Sequence, residues 1–282
     1  TEEYNSTMAI AACNKLFITY PDIKTADIDL LIFASAGQDM LEPATAHIVQ
    51  KEIGTNCPVL DVTNACNSFI NALQIADAFV KNNTYKKILI ATGEVSTKSA
   101  KLSVSSREDF KQSFPGYTFG DGGTAVVVSA SNEEDKGIVD FSFTAKSSYW
   151  DTAIMAGGGS RFMNSHEQYF RGSGNELKVA FDTIGPDFVK SFLAKHSLQP
   201  EDINHVFVHQ VSLPYLQDFM KGCDFNNKQV EETISWCGNV AAASIPLAWS
   251  LRNEREELKS GDKVLLIGLA GGISLGVTLV QI

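Results

Sequence analysis

The 282-residue sequence is 44% hydrophobic and 20% charged, which is typical of a globular protein with a sizeable core. Its net charge of −10 argues against nonspecific nucleic-acid binding, which depends on clustered Lys and Arg. The five scattered cysteines form no CxxC pair, so they predict neither a secreted disulfide scaffold nor a zinc site, and a reducing cytoplasm is the expected location. Because no apolar run reaches the roughly 20 residues that span a bilayer, we expect no membrane segment.

From the N-terminus, strand-like and helix-like segments alternate. The strands are TADIDLLIFAS (25–35), CPVLDV (57–62) and YKKILIATGE (85–94), and between them lie the helical segments ATAHIVQKEIG (44–54) and ACNSFINALQIADAFVKN (65–82). The alternation of strand and helix favours right-handed crossovers and a largely parallel sheet covered by helices.

The second part of the chain repeats this pattern. QPEDINHVFVHQ (199–210) resembles the first strand, GDKVLLIGLAGG (261–272) resembles the third, and AAASIPLAWSLRNEREELK (241–259) is helical between them. A nearly constant offset of about 175 positions relates the copies, which indicates an internal duplication. The sequence therefore predicts an α/β protein with an N-terminal half at 1–130 and a C-terminal half at 177–282.

The segment between the halves, residues 131–176, has no counterpart in the first half. It combines a charged stretch, SNEEDKG, with the Gly-rich and aromatic stretch AGGGSRFMNSHEQYFRGSGN. Loops of this length inside a compact protein are typical of functional lids or of unstructured segments. We expect a linker followed by an insertion or cap loop.

The duplication aligns TNACNSFINAL (63–73) with GNVAAASIPLA (238–248). Cys66 then starts the first half's helix, Asn239 starts the second half's helix, and His209 ends a strand. Ligands of open α/β sheets bind beyond the C-terminal ends of the strands, so these three side chains are expected at one edge. A helix N-terminus stabilises a thiolate, which predicts a nucleophilic Cys66, while imidazole and amide groups supply hydrogen bonds to a substrate.

Taken singly, each of these residues also has an ordinary structural interpretation. Cys66 could be a small core residue, His209 a buried hydrogen-bonded side chain and Asn239 a helix cap. His205 and His209 lie four residues apart but have no acidic or Cys ligand nearby, which disfavours a metal site. The Gly-rich runs at 119–123 and 268–272 lack the GK[ST] of a phosphate loop and favour close backbone approach instead.

Five motifs, in order along nearly the whole chain, resemble the β-ketoacyl-acyl-carrier-protein synthase III family of the thiolase fold. They are DVTNACNSF, FGDGGTAVVV, VFVHQ, GNVAAASIPLA and GLAGGISLG. The resemblance implies two duplicated halves in a layered αβαβα core. It implies that Cys66 accepts an acyl group from acyl-CoA or acyl carrier protein, and that the backbone N–H groups of Cys66 and Gly272 form an oxyanion hole. His209 and Asn239 would hold a malonyl-type thioester for decarboxylative condensation, with no metal or cofactor.

Asn239 distinguishes this branch from thiolases, which carry a second Cys, and from elongating synthases, which carry a second His. The hydroxymethylglutaryl-CoA synthases are also similar, but the sequence does not place their Glu base.

Three departures from the family pattern affect substrate recognition. The family's N-terminal segment, which carries the first strand and groups that help hold the CoA adenine, is absent from the sequence. Ser212 and Pro214 stand where an Asn and an Arg commonly follow the His-Gln pair. Glu42 lies near the position from which the family's dimer partner contributes an apolar residue to the acyl pocket, which predicts an altered choice of primer.

The resemblance also implies a homodimer. Docking of an acidic carrier protein requires a basic patch, for which Arg161, Arg171, Lys178 and Lys190 are the candidates. Glu42, Arg161, Arg171 and Ser212 are the predicted substrate-binding residues. Two alternatives remain at this stage, namely a non-elongating acyltransferase that uses acyl-Cys66 and a noncatalytic subunit of a condensing enzyme.

Overall fold

The computed structural model describes residues 2–133, 135–163 and 168–282. The helices are α1 Asn5–Thr19, α2 Thr45–Ile53, α3 Ser68–Lys81, α4 Arg107–Ser113, α5 Gly174–Asp182, α6 Gly185–Lys195, α7 Leu213–Gly222, α8 Ile234–Cys237 and α9 Ser244–Glu254. The strands are β1 Leu30–Ala34, β2 Val59–Val62, β3 Lys87–Val95, β4 Asp121–Ser129, β5 Gly137–Ala145, β6 Ala153–Met155, β7 Phe170–Gly172, β8 His205–Val208, β9 Lys263–Ala270 and β10 Ser274–Gln281.

The strands form two main sheets that correspond to the two copies of the repeat. The first has the order β2-β1-β3-β4 and the second has the order β5-β10-β9-β8. β1 lies parallel to β2 and β3, and β8 lies parallel to β9. β4 and β10 instead run antiparallel to β3 and β9. The predicted duplication is confirmed. The expectation of a largely parallel sheet holds for the first sheet, where only β4 runs antiparallel to its neighbour, but it is wrong for the second sheet, where β10 runs antiparallel to both β5 and β9.

Three apolar layers alternate with the two sheets. Along β1 the side chains alternate between faces, as a strand requires. Leu31 and Phe33 pack with α1 and α2 on the outer face, while Leu30 and Ile32 pack with α3 and α9 between the sheets. The outer face of the second sheet is covered by α5, α6 and α7. The order helix, sheet, helix, sheet, helix is the predicted αβαβα core.

The segment 131–176 contains more regular structure than the sequence indicates. Residues 137–145 form β5, which pairs along its length with β10 and extends the second sheet. Phe141 and Phe143 on this strand pack against the central apolar layer, which explains why this part of the chain is a strand rather than a loop. β6 and β7 form a separate two-stranded sheet. The predicted cap loop therefore corresponds only to the remainder of the segment, and its residues 164–167 lie outside the described part.

The two halves approach closely at positions occupied by glycine. A Cβ atom on Gly268 of β9 would lie 1.9 Å from Asn67 Oδ1 and 2.9 Å from Ile70, so the start of α3 touches the backbone of the second sheet. A Cβ atom on Gly120 would lie 1.7 Å from the carbonyl oxygen of Cys237. These contacts explain the Gly-rich runs as sites of backbone approach.

We predict that Gly120→Ala lowers the free energy of unfolding by about 3 kcal/mol, because the added methyl forces the crossing backbones apart. Gly159→Ala is the matched control, since a Cβ at Gly159 meets nothing within 4 Å and its φ of −86° suits alanine. Urea denaturation of the two variants beside the original protein measures the difference. Equal unfolding midpoints for the two variants would show that the crossing is not tight.

Candidate active site

Cys66 lies in a tight turn between β2 and α3. Ala65 has a φ of 46°, in the left-handed region that non-glycine residues rarely occupy, and α3 begins two residues after Cys66, at Ser68. The Ser68 hydroxyl oxygen accepts a hydrogen bond from the Asn64 N–H (2.8 Å) and lies 3.0 Å from the Ser35 carbonyl oxygen. The thiol is thus presented just ahead of the helix by a turn fixed at both ends.

The Cys66 thiol is half-buried and is not ionised by its surroundings. Burial raises its pKa to about 12, and the nearby carboxyl group of Glu94 raises it further, while its own backbone N–H acts in the opposite direction. The sequence predicts a thiolate stabilised by the helix N-terminus, and in the unliganded site this is wrong because loss of hydration dominates. Reaction therefore requires the thiol proton to leave as the sulfur attacks.

His209 follows β8 directly, and its backbone N–H continues the ladder to the Ile267 carbonyl oxygen at 2.9 Å. The side chain is 1% exposed. Nδ1 lies 3.2 Å from Ser244 Oγ, while Nε2 has no partner among the described residues. Burial lowers the pKa of His209 to about 4, with a backbone hydrogen bond to Ala241 acting against this. At neutral pH the ring is uncharged and one nitrogen is available to a ligand.

Asn239 is held by backbone atoms of the first half. Its N–H donates to the Thr118 carbonyl oxygen at 2.7 Å, and its own carbonyl oxygen accepts from the Gly120 N–H at 3.0 Å. The side-chain Oδ1 accepts from the Ala241 N–H at 2.9 Å. This leaves Nδ2 as the end of the amide that can donate to a substrate.

The short turn Ala241–Ala243 is the point at which the candidate residues meet. Ala241 bonds to the Asn239 side chain and also to His209. The Ala242 N–H lies 3.3 Å from Glu94 Oε1, and the Glu94 carboxyl influences Cys66. His209 and Asn239 thus meet at this turn, and Cys66 is linked to it through the electrostatic effect of Glu94.

Glu94 is a residue that the sequence interpretation missed. It stands near the end of β3, it is 1% exposed, and burial raises its pKa to about 8. One signal in the sequence pointed to Glu94. An acidic residue stands near the end of a mostly apolar strand, whereas the equivalent residue in the second copy of the repeat is Ala270.

Gly272 lies in the turn between β9 and β10 with a φ of 79°, which favours glycine. Ser274, which ends this turn, is bonded to Asn67. The Asn67 Nδ2 donates to the carbonyl oxygen and the hydroxyl oxygen of Ser274 at 3.0 and 2.9 Å. Asn67 follows Cys66 directly. The turn that carries Gly272 is therefore fixed relative to the thiol.

The predicted substrate-binding residues lie on separate elements. Glu42 is exposed on the loop before α2, and Arg161 is exposed with its guanidinium 4.9 Å from the ring centre of Trp150. Arg171 lies on β7 opposite Ile154. Ser212 is the N-cap of α7, so the departure at 212–214 from the family pattern serves as a helix start with Pro214 in its first turn.

The two lysines proposed for carrier docking are already paired with acidic residues. Lys178 Nζ lies 2.8 Å from Asp182 and 3.4 Å from Asp218, and Lys190 Nζ lies 2.7 Å from Asp224. Their charges are balanced locally, which argues against a basic patch at these lysines.

His205 serves the packing of the second half. Its Nε2 lies 3.0 Å from an Asp262 oxygen, and its Nδ1 lies 2.7 Å from Arg252 Nη1. Both ring nitrogens are therefore occupied. Across the described ranges, no group of three or more His, Cys, Asp or Glu side chains could hold a metal ion.

We predict that burial of neutral His209 makes stability depend on pH. Below its ordinary pKa of 6.5 the unfolded imidazole binds a proton, whereas the folded one stays neutral until about pH 4. The contribution of neutral His209 to the free energy of unfolding is therefore lost progressively as the pH falls from about 6.5 to about 4, up to roughly 3 kcal/mol. The non-titrating variant His209→Asn lacks this loss, so its stability relative to the original protein rises as the pH falls from 7 to about 4. A stability difference that is independent of pH in urea denaturation would contradict the prediction.

The duplicated five-layer fold, with a cysteine before a helix in one half and a histidine and an asparagine in the other, defines the thiolase-fold class of enzymes. Sequence models of 3-oxoacyl-[acyl-carrier-protein] synthase III match residues 60–147, and those of its C-terminal part match residues 193–282. The chain is 32% identical over 278 residues to the β-ketoacyl-[acyl-carrier-protein] synthase III of Aliarcobacter butzleri, covering 95% of this chain and 81% of that protein. It is 31% identical over 287 residues to the synthase III of Helicobacter pylori strain J99, covering 99% and 84%.

The chain belongs to the β-ketoacyl-acyl-carrier-protein synthase III family, and it is an acyltransferase of the condensing type. Solved structures agree on the fold. A 3-oxoacyl-[acyl-carrier-protein] synthase III from Aquifex aeolicus superposes with a TM-score of 0.86 at 26% identity, covering 100% of this chain and 86% of that one. A variant of OleA from Xanthomonas campestris superposes with a TM-score of 0.90 at 24% identity, covering 100% and 83%. None of the helices in the described ranges is long and apolar enough to cross a membrane.

Proposed function

We propose that Cys66, His209 and Asn239 carry out the condensation in this chain. The observation that supports this assignment most strongly is the turn Ala241–Ala243, which touches His209 and Asn239 and reaches the Glu94 carboxyl beside Cys66. Three side chains from separate elements thus share one small region.

In the first step, the Cys66 sulfur attacks the carbonyl carbon of an acyl thioester. A new C–S bond forms, the bond to the CoA or carrier thiol breaks, and the Cys66 proton passes to the departing sulfur. Because the thiol keeps its proton before reaction, this exchange leaves no net charge in the buried site. The N–H groups of Cys66 and Gly272 would hold the transient oxyanion, and a preorganised donor of this kind is typically worth about 3 to 4 kcal/mol.

In the second step, a malonyl-type thioester binds with its carbonyl oxygen facing His209 Nε2 and Asn239 Nδ2. A proton on Nε2 is favoured when Ser244 donates its hydroxyl hydrogen to Nδ1. Carbon dioxide leaves, its bonding electrons form an enolate, and the enolate carbon attacks the acyl group on Cys66. The C–C bond forms, the C–S bond breaks, and the Cys66 thiolate released takes up a proton from solvent. A neutral imidazole is a suitable donor here because it stabilises the enolate without losing its own proton.

The remaining expectations on partners and location belong to this proposal. The substrates are acyl-CoA or acyl carrier protein and a malonyl thioester, and the reaction uses no metal or cofactor besides them. The cytoplasm is the proposed location, since its reducing conditions keep the Cys66 thiol free. For carrier docking, Arg161 and Arg171, which lie at or near the β6-β7 pair, are the proposed candidates.

We predict that short acyl-CoAs form an adduct on Cys66 that intact and peptide mass spectrometry detect. Asn239→Ala is expected to retain adduct formation within about threefold while losing about 100-fold in β-ketoacyl product, because Asn239 acts on the second substrate only. Asn253→Ala is the matched control, since this amide lies exposed on α9 and bonds to the Tyr20 hydroxyl.

The same assay separates the alternatives. An adduct that is passed to a hydroxyl or amine without consumption of malonyl thioester would identify a non-elongating acyltransferase. No adduct on the unchanged protein with any acyl-CoA or acyl carrier protein would point to a noncatalytic subunit and overturn the assignment of Cys66.

We further propose that Glu42 acts in the acyl pocket of a second copy within a homodimer. Leu41 beside it is 76% exposed and Met40 is 46% exposed, so the loop tip presents apolar surface that a second copy would cover. The root of this loop is Ser35, whose carbonyl oxygen contacts Ser68 at the start of α3. Support comes from OleA, where structures carry variants of a Glu, a Cys and a His that lie 26 and 142 positions apart. The corresponding distances along this chain are 24 and 143 positions, from Glu42 to Cys66 and from Cys66 to His209.

We predict that Glu42→Leu shifts primer preference toward longer aliphatic acyl chains, because it removes a charge from an apolar pocket. The ratio of kcat/KM for long against short acyl-CoAs is expected to rise about tenfold. Glu52→Leu is the control, since Glu52 is exposed on α2. An unchanged ratio for Glu42→Leu in a protein that sedimentation shows to be dimeric would contradict the proposed role of Glu42.

A further inference from the structure

Glu94 connects three parts of the candidate site. Its Oε1 accepts a hydrogen bond from the Ala36 N–H at 2.8 Å, in the loop that follows β1. The same oxygen lies 3.3 Å from the Ala242 nitrogen, in the turn that follows Asn239. The carboxyl also acts on Cys66, whose thiol it makes harder to ionise. One buried side chain therefore joins the first half, the second half and the nucleophile.

The contact with Ala242 bears directly on the geometry of the second substrate's site. The preceding Ala241 N–H holds the Asn239 side chain, and Ala241 also bonds to His209. Two adjacent N–H groups of this turn thus donate to different side chains, that of Ala241 to Asn239 and that of Ala242 to Glu94. Any displacement of the carboxyl oxygen would move the turn and with it the two groups proposed to bind the malonyl carbonyl.

The carboxyl is surrounded by few other ionisable groups. β1 and the turn Ala241–Ala243 carry none, and His209 lies beyond that turn. The remaining groups on elements packed against β3 are occupied or buried elsewhere. These are Asp121 of β4 bonded to Thr97, Cys13 of α1 in the outer layer, Lys15 of α1 paired with Glu254, Asp77 of α3 paired with Lys81, and Lys87 of β3 paired with Asp27. Cys66 is therefore the reactive group whose ionisation depends most directly on Glu94.

We propose that Glu94 is a positioning residue that keeps the Asn239 turn in register with Cys66, and that it serves the acylation step in its neutral form. A charged carboxylate beside the thiol would oppose the negative charge that develops on sulfur during attack. The neutral acid keeps the hydrogen-bond acceptor without that charge. The inference goes beyond the family assignment and rests on the proposed role of Cys66 only for its consequence in catalysis.

The test is the rate of Cys66 alkylation by iodoacetamide as a function of pH, resolved by peptide mass spectrometry. Glu94→Gln keeps the Oε1 acceptor and removes the ionisation. We expect equal Cys66 rates in the two proteins near pH 6.5, where Glu94 is neutral, and a rate several-fold higher in the variant above about pH 8.5, where the original carboxyl is charged. Cys237 is the internal control, because Glu94 is not among the groups that raise its pKa.

If Glu94 acted only in folding, the ratio of the Cys66 alkylation rate in Glu94→Gln to that in the original protein would not change with pH. That result would overturn the proposal that Glu94 acts in its neutral form. The positioning part is tested with Glu94→Ala, which loses the hydrogen bonds of the carboxyl to the backbone of Ala36, Gly37 and Ala242 and to the Ser35 side chain. Its β-ketoacyl product should fall at least tenfold relative to Glu94→Gln at pH 6.5, with Cys66 adduct formation less affected. Equal product formation in the two variants would overturn the positioning role of Glu94.

Because alkylation needs no substrate, its outcome is distinguishable from a failure of the proposed condensation. If Glu94→Ala does not fold, Glu94→Asp, which keeps the acid but shortens its reach, replaces it in the product assay.

Discussion

The pair of backbone hydrogen bonds between Asn239 and the segment 118–120 is the constraint on which the site depends. Asn239 donates to Thr118 and accepts from Gly120, so a residue of the second half is fixed by the first half's backbone. The absence of a side chain on Gly120 makes this approach possible. Once Asn239 is held there, the following turn lies close to both Glu94 and His209, so that residues from separate copies of the repeat meet in the proposed site.

Burial determines the chemistry of these groups. It holds the Cys66 thiol protonated, the His209 ring neutral and, near neutral pH, the Glu94 carboxyl largely protonated. A site without formal charges suits a reaction whose charge appears only in transit, as an oxyanion and then as an enolate. Donors such as the Asn239 amide and the backbone N–H groups then interact with that charge more strongly than they would in water.

Much of the fold and the site could be predicted from the sequence. The repeated strand motifs predicted two similar halves, and the offset between them paired Asn64 with Asn239, which put Cys66 and Asn239 in corresponding segments of the two copies. The antiparallel strand β5 was missed because GIVDFSFTA follows a charged stretch and has no counterpart in the first half. The ionisation of Cys66 was predicted wrongly, since local sequence shows the helix but not the depth of burial. Lys178 and Lys190 were chosen by charge alone, and their acidic partners, Asp218 and Asp224 among them, come from another helix and the loop after it.

The Asn67 amide has a consequence for how substrates enter. It joins the residue after the nucleophile to Ser274, and Gly268 lets the same helix rest on β9 without an intervening side chain. The residue after the nucleophile and the turn that carries Gly272 are therefore joined by direct contacts between the start of α3 and the second sheet. The exposed segments nearby, such as the Met40–Glu42 loop and the stretch near Trp150, are where we expect room to open for a pantetheine arm. Selection of the acyl chain can vary in these segments without disturbing the distances on which bond formation depends.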